Sequence, residues 1–270
     1  MKSNFKTDSL NDRMKRYESV SRTELMRRTP AILRLDGRAF STFTENFEKP
    51  FDPVFAEAMQ ETMRYLCKNI QGCVLGYTQS DEITLVLCDY QNLNTAAWFD
   101  YNVQKCVSVA AGMASAAFAR YFEDAVKHTY DSDDPEISKY YEDDGFHLKF
   151  ASFDARIFSL PIEEVTNNIL WRQEDGSRNS INALGRAYFS HAELKNKHCG
   201  EVQDMVFKKT GINWNDLPTT QKRGCCCIKV TNPEHRPDGI IVEHNVWTID
   251  HNIPTFSGDG REYIESRIHF

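Results

Sequence analysis

What the chain lacks narrows the field first. No apolar run approaches the roughly 18 residues that a membrane-spanning helix needs, and the opening stretch Met1 to Asp8 has no apolar core of the kind a secretory leader carries. The two absences lead to the expectation of a soluble, cytoplasmic protein with no membrane partner. Eight cysteines are present, yet no two form a C-x-x-C pair, and His198-Cys199 near His191 has no partner pair at zinc spacing. Cys225-Cys226-Cys227 runs into Ile228 as a strand would, where neighbours face opposite ways and share one metal poorly. The cysteines therefore read as small buried hydrophobes in a reducing compartment. Repeats and low-complexity linkers are absent too. So is any excess of positive charge: the net charge is −7, which on its own argues against a nucleic-acid partner. That charge is unevenly placed, because Asp131 to Asp144 holds seven acidic residues and one lysine, which leaves the remainder close to neutral. Basic clusters at Arg13-Lys15-Arg16, Arg34 with Arg38, and Lys222-Arg223 permit an RNA partner without requiring one.

With 41% hydrophobic and 26% charged residues over 270 positions, the chain can bury a substantial core. Asp8 to Arg28 has apolar residues at helical spacing, with Asp8 or Ser9 as cap. Ala31 to Leu35 is a short apolar run that ends in Asp36-Gly37, which reads as a buried strand and a turn. Arg38 to Lys49 reads as a loop. Asp52-Pro53 opens a helix through Phe55, Met59, Met63 and Leu66. Two β-rich runs, Cys73 to Tyr77 and Ile83 to Leu87, flank five residues short enough for a hairpin tip. An alanine-rich helix is expected from Asn94 to Asp124, a surface loop at Asp131 to Asp144, and a strand from Phe150 to Leu160. Beyond Pro161 the pattern predicts helices at Ile162 to Gln173, Ser180 to Leu194 and, more weakly, Glu201 to Lys209. A strand at Gly239 to Val242 and a short helix near Tyr263 complete the tail.

Strand, helix, strand, strand, helix, strand is the split βαβ pattern of a ferredoxin-type, palm-like βαββαβ core with an antiparallel sheet. The fold class is accordingly α+β, with a mainly helical C-terminal part; a boundary is drawn near Leu160, giving a palm-like catalytic domain at 1–160 and a C-terminal region at 161–270. If the strands pair in one sheet, Asp36 meets Asp81 and Glu82 at the hairpin tip. Converging carboxylates repel unless a cation sits between them, and hard oxygen ligands beside phosphate suit Mg²⁺, as a pair in phosphoryl transfer. Taken singly, Asp36 could equally begin a turn and Asp81-Glu82 cap a hairpin.

Arg34-Leu35-Asp36-Gly37-Arg38-Ala39-Phe40, then Phe47-Glu48-Lys49-Pro50, then Gly76-Tyr77-Thr78-Gln79-Ser80-Asp81-Glu82 resembles the tRNA-His guanylyltransferase family, including its guanylyltransferase-like, 3′-5′ polymerase branch. Trp98-Phe99 with Lys105, Phe153-Asp154-Ala155-Arg156, Trp171-Arg172-Gln173, and Asn215-Asp216-Leu217-Pro218 before Lys222-Arg223-Gly224 extend the resemblance. It implies a nucleotidyltransferase that adds nucleotides to the 5′ end of tRNA. By resemblance, Asp36, Asp81 and Glu82 are catalytic, and two Mg²⁺ ions sit on Asp36, the Gly37 carbonyl and Asp81. GTP and ATP would lie against Asp36, Gly37, Arg38, Ala39, Phe40, Ser41, Lys49, Ser80, Asp81 and Lys105. RNA contacts are expected from Arg13, Arg34, Arg178, Lys222 and Arg223, and the family resemblance implies a homo-oligomer, a tetramer. Two departures stand out. Asn102 replaces a triphosphate-clamping arginine, and Ser177 stands where the family carries an anticodon-reading histidine. The loss of that histidine favours template-directed 5′-end repair of several tRNAs. A dedicated tRNA-His guanylyltransferase, a nucleotide cyclase or signalling synthase on the same palm, and a non-catalytic RNA-binding protein are the alternatives.

Overall fold

The computed structural model describes residues 9–130, 135–142, 145–146, 151–235 and 241–270. The calls on Asp131 to Asp134, Asp143 and Asp144 lie outside the described residues. Helix α1 (Leu10–Ser19) begins at Ser9, whose hydroxyl accepts from the Asp12 amide. Strand β1 (Ala31–Gly37) follows, then helix α2 (Pro53–Asn69), and then the hairpin β2 (Cys73–Gln79) and β3 (Glu82–Leu87). Helix α3 (Val103–Thr129) leads to β4 (Phe153–Ser159). The chain continues through α4 (Ile162–Tyr188), α5 (Cys199–Thr210), α6 (Thr219–Arg223), strands β5 (Cys225–His235) and β6 (Ile241–Asp250), and α7 (Glu262–Ile268).

The strand order β4-β1-β3-β2-β5-β6 is antiparallel at every pair. Its first four strands are the expected ferredoxin-type core, and β5 and β6 extend the same sheet beyond β2. Alternation along β1 sends Leu33 and Leu35 to one side and Ile32 to the other. The first side is covered by α2 and α3, where Ala110, Ala114 and Ala117 let the helix approach the sheet closely. The second is covered by α4 and α7 through Val165, Ile169, Ile264 and Ile268. A smaller cluster joins the end of α4 to α5 through Ile181, Leu184, Val202 and Val206. Seven of the eight cysteines are buried and Cys199 is partly so, in keeping with their apolar reading.

Several local expectations change. Helix α1 stops at Ser19 rather than Arg28, α3 starts at Val103 rather than Asn94, and β6 runs on to Asp250. The hairpin tip is two residues, Ser80 and Asp81, because β2 and β3 run further toward it. Phe40–Phe43 forms a short helical turn inside the expected loop. Most consequential, Ile162 to Tyr188 is one continuous helix, where separate helices were expected at Ile162 to Gln173 and Ser180 to Leu194. Gly176 is there for packing: a Cβ on it would stand 2.6 Å from Cγ of Gln79, at the end of β2. The Ser177 hydroxyl bonds back to the Gln173 carbonyl at 2.9 Å, inside the helix.

Gly224 joins α6 to β5 at φ +81°, and a Cβ there would lie 2.2 Å from the Thr78 carbonyl oxygen. Gly224→Ala therefore meets both an unfavourable φ and a backbone clash. It should lower the unfolding free energy by about 1–3 kcal/mol, read as a lower urea midpoint with an unchanged slope.

Candidate active site

Asp36 is the last polar residue of β1, opposite Glu82 on β3 and opposite Asp154 on β4. The neighbouring Gly37 amide donates to the Asp81 carbonyl at 3.0 Å, which fixes the hairpin tip against the end of β1. Burial pushes the Asp36 carboxyl above its ordinary range, and the Asp154 charge adds to this while Arg156, Arg34 and Arg172 oppose it. Burial likewise raises Asp81; a backbone hydrogen bond and the Ser80 hydroxyl hold it back, and the Asp36 charge raises it further. Asp81 thus feels the charge of Asp36, and Asp36 that of Asp154.

Among the described residues no group of three or more His, Cys, Asp and Glu side chains is arranged to hold a metal. Mg²⁺ does not require one, since it is commonly held by one or two carboxylates together with substrate phosphates and water. Two converging, partly buried carboxylates fit that donor set.

Glu82 takes a different part from its neighbours. Both its oxygens accept from Arg172 on α4, at 2.6 and 2.7 Å, and the same guanidinium reaches Asp175 at 3.0 Å. The fork locks the start of β3 to α4, so Glu82 serves as an anchor for the Asp81 tip. Arg172 had no assigned role in the sequence. Its partner lies 90 positions away, and only the Trp171-Arg172-Gln173 motif drew notice to it.

The expected nucleotide loop separates into backbone and core. Arg38 N–H donates to the Ser152 carbonyl at 2.8 Å. Ala39 takes a left-handed φ of 57° and starts the Phe40–Phe43 turn. The Phe40 ring does not face a ligand. It is 2% exposed, with ring centroids of Phe43, Phe118 and Phe153 between 5.1 and 5.3 Å away. A Cβ on Gly37 would strike that ring at 2.4 Å. Any contact of Phe40 with a nucleotide is therefore made by its backbone, whose N–H groups in a first helical turn have no preceding carbonyl to bond. Ser41, Lys49 and Ser80 line one cavity of about 480 Å³, together with Phe55, Met59 and Asn179. The Lys49 ammonium donates to the Thr44 carbonyl, and Asp52, the cap of α2, also accepts from the Tyr140 hydroxyl at 2.9 Å.

Lys105 stands elsewhere. Strand β3 runs from Glu82, beside Asp36, to Leu87, beside Ala31. Helix α3 begins at that far end, where Val103 N–H meets Thr23 and Arg27 pairs with Asp89. Five strand residues separate the two ends by about 17 Å, so one chain does not bring Lys105 to Asp36. Its ammonium lies 6.0 Å from the Phe99 ring centroid. Asn102 turns out to cap α3, its side chain accepting from the Lys105 amide at 3.0 Å. The RNA candidates also divide. Arg178, Lys222 and Arg223 line a second cavity of about 520 Å³ with Ser177 and Trp214. Arg34 lies over Trp171 beside Asp36, and Arg13 is on α1, which buries no residue.

A protein-family model described as tRNA(His) guanylyltransferase matches residues 11–161. A solved bacterial tRNA(His) guanylyltransferase-like protein in complex with ATP is 40% identical, with a TM-score of 0.80 over 97% of this chain and 100% of that one. Another structure, titled as such a protein in complex with GTP, is 38% identical with a TM-score of 0.78 and the same coverage. An uncharacterized protein of Acanthamoeba polyphaga mimivirus is 29% identical over 235 residues, 82% of this chain and 77% of that protein. Among the described residues no helix is long and apolar enough to cross a membrane.

Two outcomes follow from the geometry. Burial raises both carboxyl groups above their unfolded values, with Asp154 adding to the rise at Asp36 and Asp36 to that at Asp81, so the ionised metal-free site weakens the fold at neutral pH. The strain is absent at low pH and grows as pH rises from the unfolded values through the raised ones. Asp36→Asn should therefore be more resistant to urea than the wild type at pH 7 in EDTA, with the difference shrinking as pH falls. Asn102→Arg removes a helix cap and should lower stability by about 1 kcal/mol, measured by thermal unfolding.

Proposed function

The chain belongs to the tRNA(His) guanylyltransferase family, and on that premise we propose that it is a cytoplasmic, Mg²⁺-dependent nucleotidyltransferase that adds nucleotides to the 5′ end of tRNA in the 3′-to-5′ direction, directed by the opposite strand. The observation that carries this reading is the convergence of Asp36 and Asp81, both raised by burial, with the Asp36 charge raising Asp81 further and the Asp154 charge raising Asp36. With the Gly37 carbonyl, these two side chains would hold two Mg²⁺ ions. When bound, the ions supply charge neutralisation at the triphosphate and acidify the attacking 3′-hydroxyl of the incoming nucleotide.

The chain's own groups do the rest. The Ala39 to Ser41 backbone wraps phosphate oxygens with amides, the Arg38 amide being held by the Ser152 carbonyl, and Lys49 and Ser80 border the cavity that receives the nucleotide. Glu82, clamped by Arg172, holds the hairpin tip at a fixed distance from β1. The ATP and GTP held by the bacterial relatives support nucleoside triphosphates as substrates, with ATP activating a 5′-monophosphate. The catalytic part is taken as 1–160, with 161–270 facing the RNA. A homo-oligomer, by resemblance a tetramer, offers a second copy of Lys105 to each site.

Template-directed repair is favoured over a dedicated guanylyltransferase by Ser177. Its hydroxyl is bonded within its own helix, and it has no ring to stack on a splayed anticodon base. Asp36→Ala or Asp81→Ala should abolish addition while the fold persists. The ratio of kcat/KM for a 5′-truncated non-histidine tRNA to that for intact tRNA-His should exceed one. A preference for intact tRNA-His that disappears on anticodon exchange would overturn the repair reading.

A further inference from the structure

The family motif Trp171-Arg172-Gln173 has two members with structural partners. Arg172 forks onto Glu82, and Gln173 bonds Pro254 and Phe256 at 2.9 Å each. Trp171 has neither kind of use. Its side chain remains 48% exposed, on the stretch of α4 that passes over the active end of the sheet. Core packing explains a covered indole and gives no reason for one left half in water.

Its surroundings are specific. The Arg172 guanidinium lies 4.5 Å from the ring centroid and the Arg34 guanidinium 5.7 Å. Arg34 is on β1 two residues before Asp36, so the two side chains share a face of the sheet about 7 Å apart along the strand. Arg156 is directly opposite Arg34 on β4. It bonds only its neighbour Asp154, at 3.1 Å. Among the described residues Arg34 has no ion-pair partner, so its donors are available to a ligand. An exposed indole flanked by guanidinium groups, beside paired carboxylates, is the combination that holds single nucleotides: a ring for the base and forked donors for the phosphate.

We propose that Trp171 and Arg34 form the binding site for the 5′-terminal nucleotide of the RNA, with the base stacked against the indole and the 5′ phosphate held by Arg34 and Arg156. This deepens the reading of the site as a 5′-end nucleotidyltransferase and rests on it. The RNA end is favoured over the incoming nucleoside triphosphate because the latter has its own enclosure. Ser41, Lys49 and Ser80 line that cavity with Phe55 and Met59 of α2 and with Asn179, Ser180 and Ala183 further along α4, and its lining includes none of Trp171, Arg34 and Arg156. The Trp171 platform is open, as an RNA end continuous with a helix requires.

The test uses the full chain and a 5′-truncated tRNA with 2-aminopurine at its 5′-terminal position, whose fluorescence falls on stacking. Wild-type protein should quench the probe on binding, and Trp171→Phe should retain most of the quenching. Trp171→Ala should lose it and raise the Kd for the RNA by about tenfold or more, with nucleotide affinity unchanged. In steady state the same change should appear in KM for the RNA rather than for the nucleoside triphosphate. Quenching by Trp171→Ala equal to wild type, or a loss of triphosphate affinity in place of RNA affinity, would overturn the proposal. A control arm scores wild-type addition to unlabelled truncated tRNA. Failure there, with quenching intact, sinks the repair reading and leaves the stacking site standing.

Discussion

The fork between Arg172 and Glu82 is the contact on which the arrangement of this protein depends. The sheet alone would set Asp36 and the hairpin tip near one another, as register does in any ferredoxin-type core. A two-residue tip is nonetheless free to splay, since only the Gly37 amide ties Asp81 to β1. Arg172 closes that freedom from the other side. Its two short bonds to Glu82 and a third to Asp175 are largely shielded, with the two side chains 13% and 17% exposed. A charge pair so shielded loses far more on losing one partner than a surface pair does. Glu82 is thereby held by an organic cation, and the two remaining carboxylates converge without one.

The same contact has a second consequence. It makes α4 part of the active site, although the helix begins after the palm and extends well past it. Trp171, Arg172 and Asp175 meet the catalytic end of the sheet, while Ser177 and Arg178 border the second cavity and Leu184 joins the packing against α5. One continuous helix thus spans from the carboxylates to the second cavity. A break between Gln173 and Ser180, as two separate helices would have had, would have uncoupled the two.

The palm topology was legible because each strand is short, apolar and bounded by turn formers, and because Asp52-Pro53 marks a helix start clearly. Asp36 and Asp81 were legible for the same reason: both end strands whose pairing the element order implies. What remained hidden depended on distant partners or on two readings of one residue. The continuity of α4 past Gln173 was hidden because composition does not reveal the Gln79 side chain that occupies the space beside Gly176. Asn102 looked like a lost arginine and is a cap. Phe40 stands within a nucleotide-binding motif, yet its ring belongs to the aromatic core. Lys105 belongs to the motif set by position in the chain, but the antiparallel path of β3 carries its helix start to the opposite end of the sheet.

Specificity is where these facts combine. A serine whose hydroxyl is tied to its own helix offers little to an anticodon base, and the cations near it are partly engaged: Arg178 with Asp175, Lys222 with the Asn215 carbonyl, Arg223 with Thr255. Such groups favour phosphate over base edges, which positions an RNA without reading its sequence. The net charge of −7 fits this, since it gives no general attraction for a polyanion. Under the proposed repair reading, selection of the incoming nucleotide falls to base pairing at the RNA end. The line of contacts from Asp36 through the paired Glu82 and its fork to Arg172, next to Trp171, would then hold that end at the carboxylates in a fixed pose.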